Sequence, residues 1–363
     1  MPHQVLLTIS GVIPADLETQ VAEGKRPRAD YQVLGQAFGA DLLDVQAARA
    51  HAGWFGHLIE RLAGISVLLA WVCFLQRHRY QVIVTDGENV GVPLACLFKL
   101  LGWLGGPRPR HLMIVHILSV PKKLIFFDYL RIQHQIDTFL VYAEFQQRFI
   151  HQRLGVPIER VVLTPFMVDS HFFRPDAVQP MPRERPMICA VGLERRDYPT
   201  LLAAVADLPI DVVIAAASPW SRRTDSTAGQ TIPANVRVQK FSQYDLRQLY
   251  ADSRLLVMPL EAVEFQAGVT AILEALAMAR PVLCSRTLGQ TDVISPGEHG
   301  FYVPPGDVEA LRTMIMAMLD QPELAARMGR EGRQLIERQM SLEHYAEGLA
   351  HHVRRYLPAA VPA

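Results

Sequence analysis

Residues 264–281 read EFQAGVTAILEALAMARP, and this stretch decides how the rest of the chain is interpreted. Residues 267–279 are mainly Ala, Leu, Ile and Met, which favour a helix. The apolar residues do not keep to one stripe, so we expect the helix to be buried on most sides. Glu274 lies in its middle, and a buried carboxylate is costly unless it is paired or hydrogen-bonded. A polar partner is therefore expected at Glu274, and a ligand hydroxyl is one candidate.

The two ends of this helix indicate an α/β sheet. Gly268 lies at the predicted first turn, where a glycine lets the backbone approach a ligand closely. Free N–H groups and the helix dipole make such an end attractive to an anion. At the other end Arg280 and Pro281 stop the helix, and residues 282–285 form a predicted buried strand. The stretch thus predicts a loop, a helix and a strand, with a phosphate at the helix start and a polar sugar group beside Glu274.

Length and composition are those of a soluble globular protein. The 363 residues suffice for two domains, and half of them are hydrophobic while a fifth are charged. The formal net charge is zero, so no nucleic-acid partner is expected. The four cysteines are scattered through apolar runs and form neither a CxxC pair nor a Cys/His cluster, which predicts buried, reduced thiols and no zinc.

The same features predict a cytoplasmic location. The N-terminus has no basic region followed by an apolar core, so a secretory signal is not expected. The longest apolar run, residues 62–75, is shorter than the ~20 residues that span a bilayer. We interpret this run as part of a helix packed on a sheet.

The first half alternates predicted strands and helices, which indicates a parallel, doubly wound sheet. Gly11 follows the first strand and His116 the fourth, at the carboxyl edge where α/β sheets receive ligands. A turn glycine and an ordinary strand-end histidine remain the alternatives. The predicted strands are residues 5–10, a strand near 31–34, and residues 81–85, 111–115, 139–142 and 160–164. The predicted helices are residues 54–79, residues 92–104 and one that ends at residue 154.

A proline-rich segment precedes a second α/β series. Residues 174–186 contain four prolines and no periodicity, which indicates an interdomain linker. We predict a first domain at 1–175, a linker at 176–186, a second domain at 187–340, and a C-terminal helix within 341–363 that crosses back to the first domain. The second series has predicted strands at 187–191, 211–215, 236–238, 255–259, 282–285 and 300–303. Its predicted helices include 200–207, 245–251 and 308–319.

Two such halves joined by a linker resemble the glycosyltransferases of the GT-B fold, and the motifs resemble retaining glycosyltransferase family 4. The family marker is two glutamates separated by seven residues, followed by Ala-x-Ala and a Val-rich strand. Gln266 and Glu274 have this spacing, with Gln in place of the first glutamate. Further segments that resemble the family are 164–175, 288–292 and 297–307. The resemblance covers about residues 160–345, and the first half only by architecture.

The resemblance implies two Rossmann-like domains that face each other across a cleft, the first for an acceptor and the second for a nucleotide-sugar donor. Glu274 would accept hydrogen bonds from the ribose hydroxyls, since a carboxylate offers two acceptor oxygens. Arg195 and Arg196 would neutralise the diphosphate, and which of them points inward stays open. The implied catalytic residues are His116, Arg195, Arg196 and Gln266. The implied donor-binding residues are Gly11, Lys240, Phe241, Ala267, Gly268, Val269, Thr270 and Glu274, with Lys240 and Phe241 at the base.

The implied reaction is sugar transfer with retention of anomeric configuration. A UDP-sugar is the favoured donor, and the acceptor is an unknown hydroxyl on a glycan, a lipid-linked molecule or a small molecule, in polysaccharide, glycolipid or glycoconjugate synthesis. No Asp-x-Asp occurs in the sequence, so neither a metal nor another cofactor is expected. Fixed positive charge would stabilise the leaving diphosphate instead.

Other interpretations stay open. Gln266 also suits a catalytically silent GT-B module that binds a nucleotide sugar or a protein partner, and a GT-B epimerase would keep the same fold. Glu274 would alternatively be a structural carboxylate, and the two arginines a solvated pair. Asp86 and Glu88 would either reach the cleft or cap the next helix, and we favour the cap.

Lys122 and Lys123, together with Phe126 and Phe127, are interpreted as part of an ordinary exposed loop and helix. The alternative is peripheral contact of these residues with the inner face of a membrane or with a lipid-linked acceptor.

Overall fold

The computed structural model describes residues 4–103, 108–216, 227 and 229–358. Its contacts divide the chain into two compact units, and each contains a six-stranded sheet whose strands pair in parallel. Unit 1 consists of the chain up to Glu18, residues Ala29–Thr164 and the chain from Tyr345 onward, and unit 2 of Thr19–Arg28 and Pro165–His344. The predicted fold class, α/β with two doubly wound sheets, is confirmed.

The sheet of unit 1 has the strand order β2-β1-β3-β4-β5-β6. Every residue of its strands β1, β3 and β5 is buried, as expected for a parallel sheet covered on both faces. The strands are β1 (Val5–Thr8), β2 (Ala40–Leu43), β3 (Val82–Thr85), β4 (Arg110–Val115), β5 (Thr138–Val141) and β6 (Val161–Leu163).

Eight helices lie in the N-terminal half of the described chain. They are α1 (Leu17–Ala22), α2 (Asp30–Phe38), α3 (Val45–His51), α4 (Gly53–Ala63), α5 (Ile65–Gln76), α6 (Glu88–Trp103), α7 (Pro121–Asp128) and α8 (Glu144–Leu154). Short 3₁₀ turns follow at Arg77–Arg79, Ile132–Gln135, Ile158–Arg160 and Pro175–Ala177. The predicted helix end at residue 104 lies outside the described residues.

The strand predicted near 31–34 is wrong, because these residues belong to α2. The side chain of Gln32 accepts a hydrogen bond from the Ala29 N–H at 2.9 Å, which satisfies one of the open donors at the helix start. Gly39 ends the helix with a left-handed backbone. The second strand of the chain is β2, directly after this glycine.

The single helix predicted at 54–79 is also wrong, because Gly64 divides it into α4 and α5. Gly64 has φ +90°, which lies outside the right-handed helical region and suits glycine. The chain turns there, so that Phe55 of α4 meets Trp71 of α5 with ring centroids 5.4 Å apart. The apolar run of the sequence is thus shared between two packed helices.

The sheet of unit 2 has the strand order β12-β11-β10-β7-β8-β9. Its strands are β7 (Met187–Val191), β8 (Asp211–Ala215), β9 (Val236–Gln239), β10 (Leu256–Met258), β11 (Val282–Ser285) and β12 (Gly300–Val303). Four of these strands, β7, β8, β11 and β12, have the predicted bounds. The helices that follow in the chain are α9 (Tyr198–Val205), α10 (Gln243–Asp252), α11 (Val269–Ala277), α12 (Val308–Leu319), α13 (Pro322–Leu335) and α14 (Leu342–Arg354), with a π-helical turn at Ile336–Met340.

The end of the chain belongs to unit 1 from Tyr345 onward. The hydroxyls of Tyr142 and Tyr345 lie 2.8 Å apart, and Tyr356 places its hydroxyl 3.0 Å from Thr138 Oγ1. These bonds hold α14 against the strand β5 and the residue after it. Residues 359–363 of the predicted C-terminal segment lie outside the described residues.

The four cysteines are free thiols, of which Cys73, Cys189 and Cys284 are buried and Cys96 is half-buried. Within the described residues, every helix is too short or too polar to cross a membrane.

Candidate functional site

Helix α11 is buried along almost its whole length. Eight of its nine residues are buried, and Thr270 in the first turn is the exposed one. Its neighbours are the apolar residues of the sheet and of α10, within one core cluster of unit 2. This explains the apolar composition without a stripe, and it places Glu274 inside the protein.

Glu274 is only 5% exposed, and its hydrogen-bond partner is Tyr250. The hydroxyl of Tyr250, on α10, donates to Glu274 Oε2 at 2.8 Å. Burial raises the pKa of Glu274 to about 7, and the bond from Tyr250 partly opposes this rise. The polar partner that the sequence requires is therefore a buried tyrosine, which sequence reasoning missed. The sequence indicates the burial of Tyr250 only through its position, one helical turn after Leu246 on the apolar face of α10.

The start of α11 is shaped by Gly268 and by a buried arginine. Gly268 has φ +80° and precedes the first helical residue. A Cβ at this position would lie 2.7 Å from Met258 Sδ and 3.2 Å from Arg196 Nη2. Both the backbone conformation and the close approach of the guanidinium therefore require glycine here.

Arg195 and Arg196 point to different surroundings. Arg196 is 5% exposed, with Nε donating to Val191 O at 2.9 Å and Nη1 to Glu194 O at 2.6 Å. Burial lowers the pKa of Arg196. Arg195 has φ +57° and donates from Nη1 to Glu261 Oε2 at 2.9 Å in a part-exposed ion pair. Of the two arginines, Arg196 is thus the one beside the start of α11.

The loop before α11 is held by the segment after β11. Gln290 is fully buried and donates from Nε2 to the carbonyl of Ala267 at 3.0 Å. The Gly289 N–H donates to Val263 O at 3.2 Å. Gln266 belongs to this fixed loop, so its backbone position is set by residues 289–290. Gln290 lies in a segment that sequence reasoning recognised, but its role as a support for the loop was missed.

Lys240 and Phe241 follow β9, at the other end of the sheet order from β12. Phe241 is half-buried against the apolar cluster that contains α11, and Lys240 is exposed. Their assignment to a nucleotide base stays a prediction.

In unit 1 the predicted residues lie at the carboxyl edge of the sheet. Gly11 follows β1, and its carbonyl accepts a hydrogen bond from the Val45 N–H at 3.1 Å. No atom lies within 4 Å of the position that a Cβ of residue 11 would occupy. His116 follows β4 and is exposed, with Nε2 2.9 Å from the carbonyl of Asp86. Its ring centroid lies 5.6 Å from that of Tyr142.

The interpretation of Asp86 and Glu88 as helix caps is wrong. Asp86 Oδ1 accepts from Thr8 Oγ1 at 2.8 Å, which ties the end of β3 to β1. Glu88 is buried and accepts from the backbone N–H groups of His116 and Ile117, both at 2.9 Å, and from Lys123 Nζ at 2.7 Å. These carboxylates therefore build the loops at the sheet edge.

Asp30 joins this edge, and sequence reasoning missed it because a strand was predicted there. Burial raises the pKa of both Asp30 and Asp86, and the negative charge of Asp86 adds to the rise for Asp30. The positive charge of His116 acts in the opposite direction on both. The edge thus combines two carboxyl groups and one imidazole, a set that can accept and donate protons.

Gly268→Ala is expected to destabilise the protein by about 1–3 kcal/mol. The backbone at this position is left-handed, which strains alanine, and the new Cβ would displace the side chains of Met258 and Arg196. Gly306→Ala is the matched control, because Gly306 has φ +74° and open space around its Cα. Urea denaturation should show that the free energy of unfolding falls less in the control than in Gly268→Ala. Equal losses would mean that the contact with Arg196 does not constrain this position.

Comparison with known proteins identifies a matching family and two curated relatives. Residues 179–335 match the family described as Glycosyl transferases group 1. A 62-residue segment is 34% identical to EpsD of Bacillus subtilis (strain 168), covering 17% of this chain and 16% of EpsD. A 97-residue segment is 33% identical to the sulfoquinovosyl transferase SQD2 of Arabidopsis thaliana, covering 26% of this chain and 18% of SQD2. The matched segments thus span less than a fifth of these two relatives.

Solved structures are similar over nearly the whole chain. A glycosyltransferase from Rickettsia africae ESF-5 has a TM-score of 0.68 at 14% identity, covering 97% of this chain and 98% of that one. HepE from Anabaena, in complex with UDP-glucose, has a TM-score of 0.66 at 12% identity, covering 97% and 99%. At such identities the likeness establishes the fold. The predicted resemblance is confirmed: the chain has the GT-B fold, and its residues 179–335 match the family described as Glycosyl transferases group 1.

Proposed function

We propose that this chain transfers a sugar from a nucleotide-sugar donor to an acceptor hydroxyl, with a UDP-sugar as the favoured donor. The observation that carries the proposal is a pair of buried charged groups: Arg196, which lies beside the start of α11, and Glu274 in the middle of that helix. The solved structures of HepE, which share this fold, hold UDP-glucose, UDP, or UDP with glucose.

In the donor site that we propose, Glu274 accepts hydrogen bonds from the two ribose hydroxyls. Arg196 and the N–H groups at the start of α11 neutralise the diphosphate, as fixed charges and a helix dipole can. Gln266, with the backbone of residues 267–270, lines the donor sugar. Lys240 and Phe241 contact the base.

Charge develops on the β-phosphate as the sugar leaves, and the guanidinium of Arg196 is already in place to stabilise it. We propose retention of anomeric configuration and no requirement for a metal ion. The carboxyl edge of unit 1, with Gly11, Asp30, Asp86 and His116, is the proposed place for the acceptor hydroxyl. The acceptor belongs to glycan, glycolipid or glycoconjugate synthesis in this proposal.

Gln266 favours one competing function, a silent module that binds the donor without transferring it. An assay of UDP release from UDP-sugars, in EDTA and with candidate acceptor glycans and lipids, distinguishes the two. Release that depends on an acceptor supports the transferase, and NMR of the product then reports its anomeric configuration. Binding of UDP without release from any donor would favour the silent module.

The affinity for UDP is expected to rise about tenfold between pH 6 and pH 8, if only the ionised Glu274 binds the ribose. With a pKa of about 7, the carboxyl changes from mostly protonated to mostly ionised over this range. Calorimetric titration with UDP at several pH values measures this. Tyr250→Phe is the control, because the titration of UDP itself is the same in it, whereas the loss of the bond to Glu274 should move the rise in affinity to higher pH. The same pH dependence in both proteins would contradict the assignment.

A further inference from the structure

Helices α4, α5, α6 and α7 of unit 1 enclose an apolar groove of about 500 Å³. Its walls include Phe55, Leu58 and Leu62 from α4, Trp71 from α5 and Phe126 from α7. The groove lies on helices that cover the sheet, and its walls include none of the residues assigned to the donor or to the acceptor edge. It therefore needs an explanation of its own.

The groove is bordered by large apolar side chains that stand in solvent. On α4, Trp54 is 81% exposed, and Leu62, which lies at the edge of the groove wall, is 78% exposed. With Phe55 and Leu58 they recur at the spacing of one helix face. Ile125 on α7 is 54% exposed beside Phe126. A contiguous exposed apolar surface of this kind marks a place where a protein meets a partner or a membrane.

The charges on these four helices select the kind of partner. All three of their carboxylates are paired with arginine or lysine: Glu60 with Arg49 at 2.6 Å, Glu88 with Lys123 at 2.7 Å and Asp128 with Arg153 at 2.9 Å.

Arg61 on α4 and Lys122 on α7 are exposed, and within the described residues neither has an ion pair. The apolar face therefore carries uncompensated positive charge. Apolar residues with flanking cations match a bilayer that contains anionic lipid, because its negative surface potential attracts lysine and arginine side chains.

We propose that this face of unit 1, the groove with Trp54, Leu62 and Ile125 at its border and Arg61 and Lys122 beside it, docks on an anionic membrane surface. Trp54, Leu62 and Ile125 enter the boundary between headgroups and acyl chains, and the two cations bind lipid phosphates. Tryptophan suits this boundary because its ring is apolar and its N–H is polar.

The face differs from the membrane contact that the sequence alone leaves as an alternative. Of the four residues named there, Lys122 and Phe126 reach the surface. Lys123 is bound to Glu88, and Phe127 is 1% exposed. The alternative of a contact at all four positions is therefore wrong for Lys123 and Phe127, and α4 supplies the largest apolar side chains instead.

Co-sedimentation with vesicles tests the proposal without reference to enzymatic activity. The wild-type chain is expected to bind vesicles of equal parts phosphatidylglycerol and phosphatidylcholine, and to bind pure phosphatidylcholine more weakly. Trp54→Ser with Leu62→Ser should lower the bound-to-free ratio at least about tenfold, since two apolar side chains lose their burial. Met181→Ser with Leu288→Ser is the matched control, because these residues are also exposed but belong to unit 2.

Charge reversal measures how much of the vesicle binding is electrostatic. Arg61→Glu with Lys122→Glu should remove the preference for the anionic vesicles. Trp54→Phe should retain binding but lose part of the blue shift of tryptophan fluorescence on vesicle addition. All substituted residues are exposed, so circular dichroism should show unchanged folding.

Three results would overturn the proposal. The first is a wild-type chain that does not sediment with anionic vesicles, and the second is a Trp54→Ser, Leu62→Ser variant that binds as well as the control. The third is a wild-type dimer in analytical ultracentrifugation that the same variant dissociates, since the face would then be covered by a second copy.

Discussion

Glu274→Gln is expected to make the ligand-free protein more stable above pH 7 and to remove its response to UDP. Burial raises the pKa of Glu274 from 4.5 to about 7, so the folded state binds a proton more tightly than the unfolded state does. The stabilising contribution of the protonated Glu274 is therefore fully present below about pH 4.5 and is lost as the pH rises through about 7. The shift corresponds to a cost of about 3 kcal/mol when the carboxylate is ionised. A neutral glutamine of the same shape avoids this cost.

Thermal melts at pH 8, with and without UDP, measure both effects. The variant should melt several degrees higher than the wild type when no ligand is present, and UDP should no longer raise its melting temperature. Tyr250→Phe is the control, since it keeps the carboxylate and removes the bond that lowers its pKa. It should still bind UDP, but only at higher pH. A variant that is less stable at pH 8 and still responds to UDP would show that Glu274 is a structural carboxylate.

Four strands of unit 2, β7, β8, β10 and β11, could be predicted because each is a short, largely buried apolar run beside proline, glycine or a charged residue. Strands β7 and β11 are buried at every position, so their composition alone indicates a parallel sheet. Strand β2 lacks this signal, since three of its four residues are partly or fully exposed. The sequence predicts a strand in place of helix α2, because the start of this helix depends on a hydrogen bond from the Ala29 N–H to the side chain of Gln32, which apolar periodicity does not show.

The candidate site could be predicted only in part, for two physical reasons. The need for a partner at Glu274 follows from the cost of a buried charge, but Tyr250 is twenty-four residues away and meets it through the packing of α10 on α11. The direction of Arg196 depends on φ +57° at Arg195. A positive φ is uncommon for any residue other than glycine, so sequence patterns do not indicate it.

Arg196→Lys is expected to lower the turnover of sugar transfer at least about 100-fold, whereas Arg195→Ala should change it less than about threefold. Arg196 is buried beside Gly268, and its planar fork reaches two carbonyls while one edge faces the start of α11. Lysine keeps the charge but cannot reproduce this geometry. Arg195 is half-exposed and pairs with Glu261, so its removal costs a surface ion pair.

Measuring turnover at saturating donor, together with urea denaturation, separates catalysis from folding for these two neighbours. Burial lowers the pKa of Arg196 and raises that of Glu274, so both charges are held inside the ligand-free protein at a cost to its stability. Such a cost is understandable where a ligand supplies the matching groups, here a diphosphate for the guanidinium and ribose hydroxyls for the carboxylate. Arg196→Lys should therefore lose turnover far more than folding stability. A larger loss of turnover in Arg195→Ala would mean that Arg195 binds the diphosphate and that Arg196 only supports the loop.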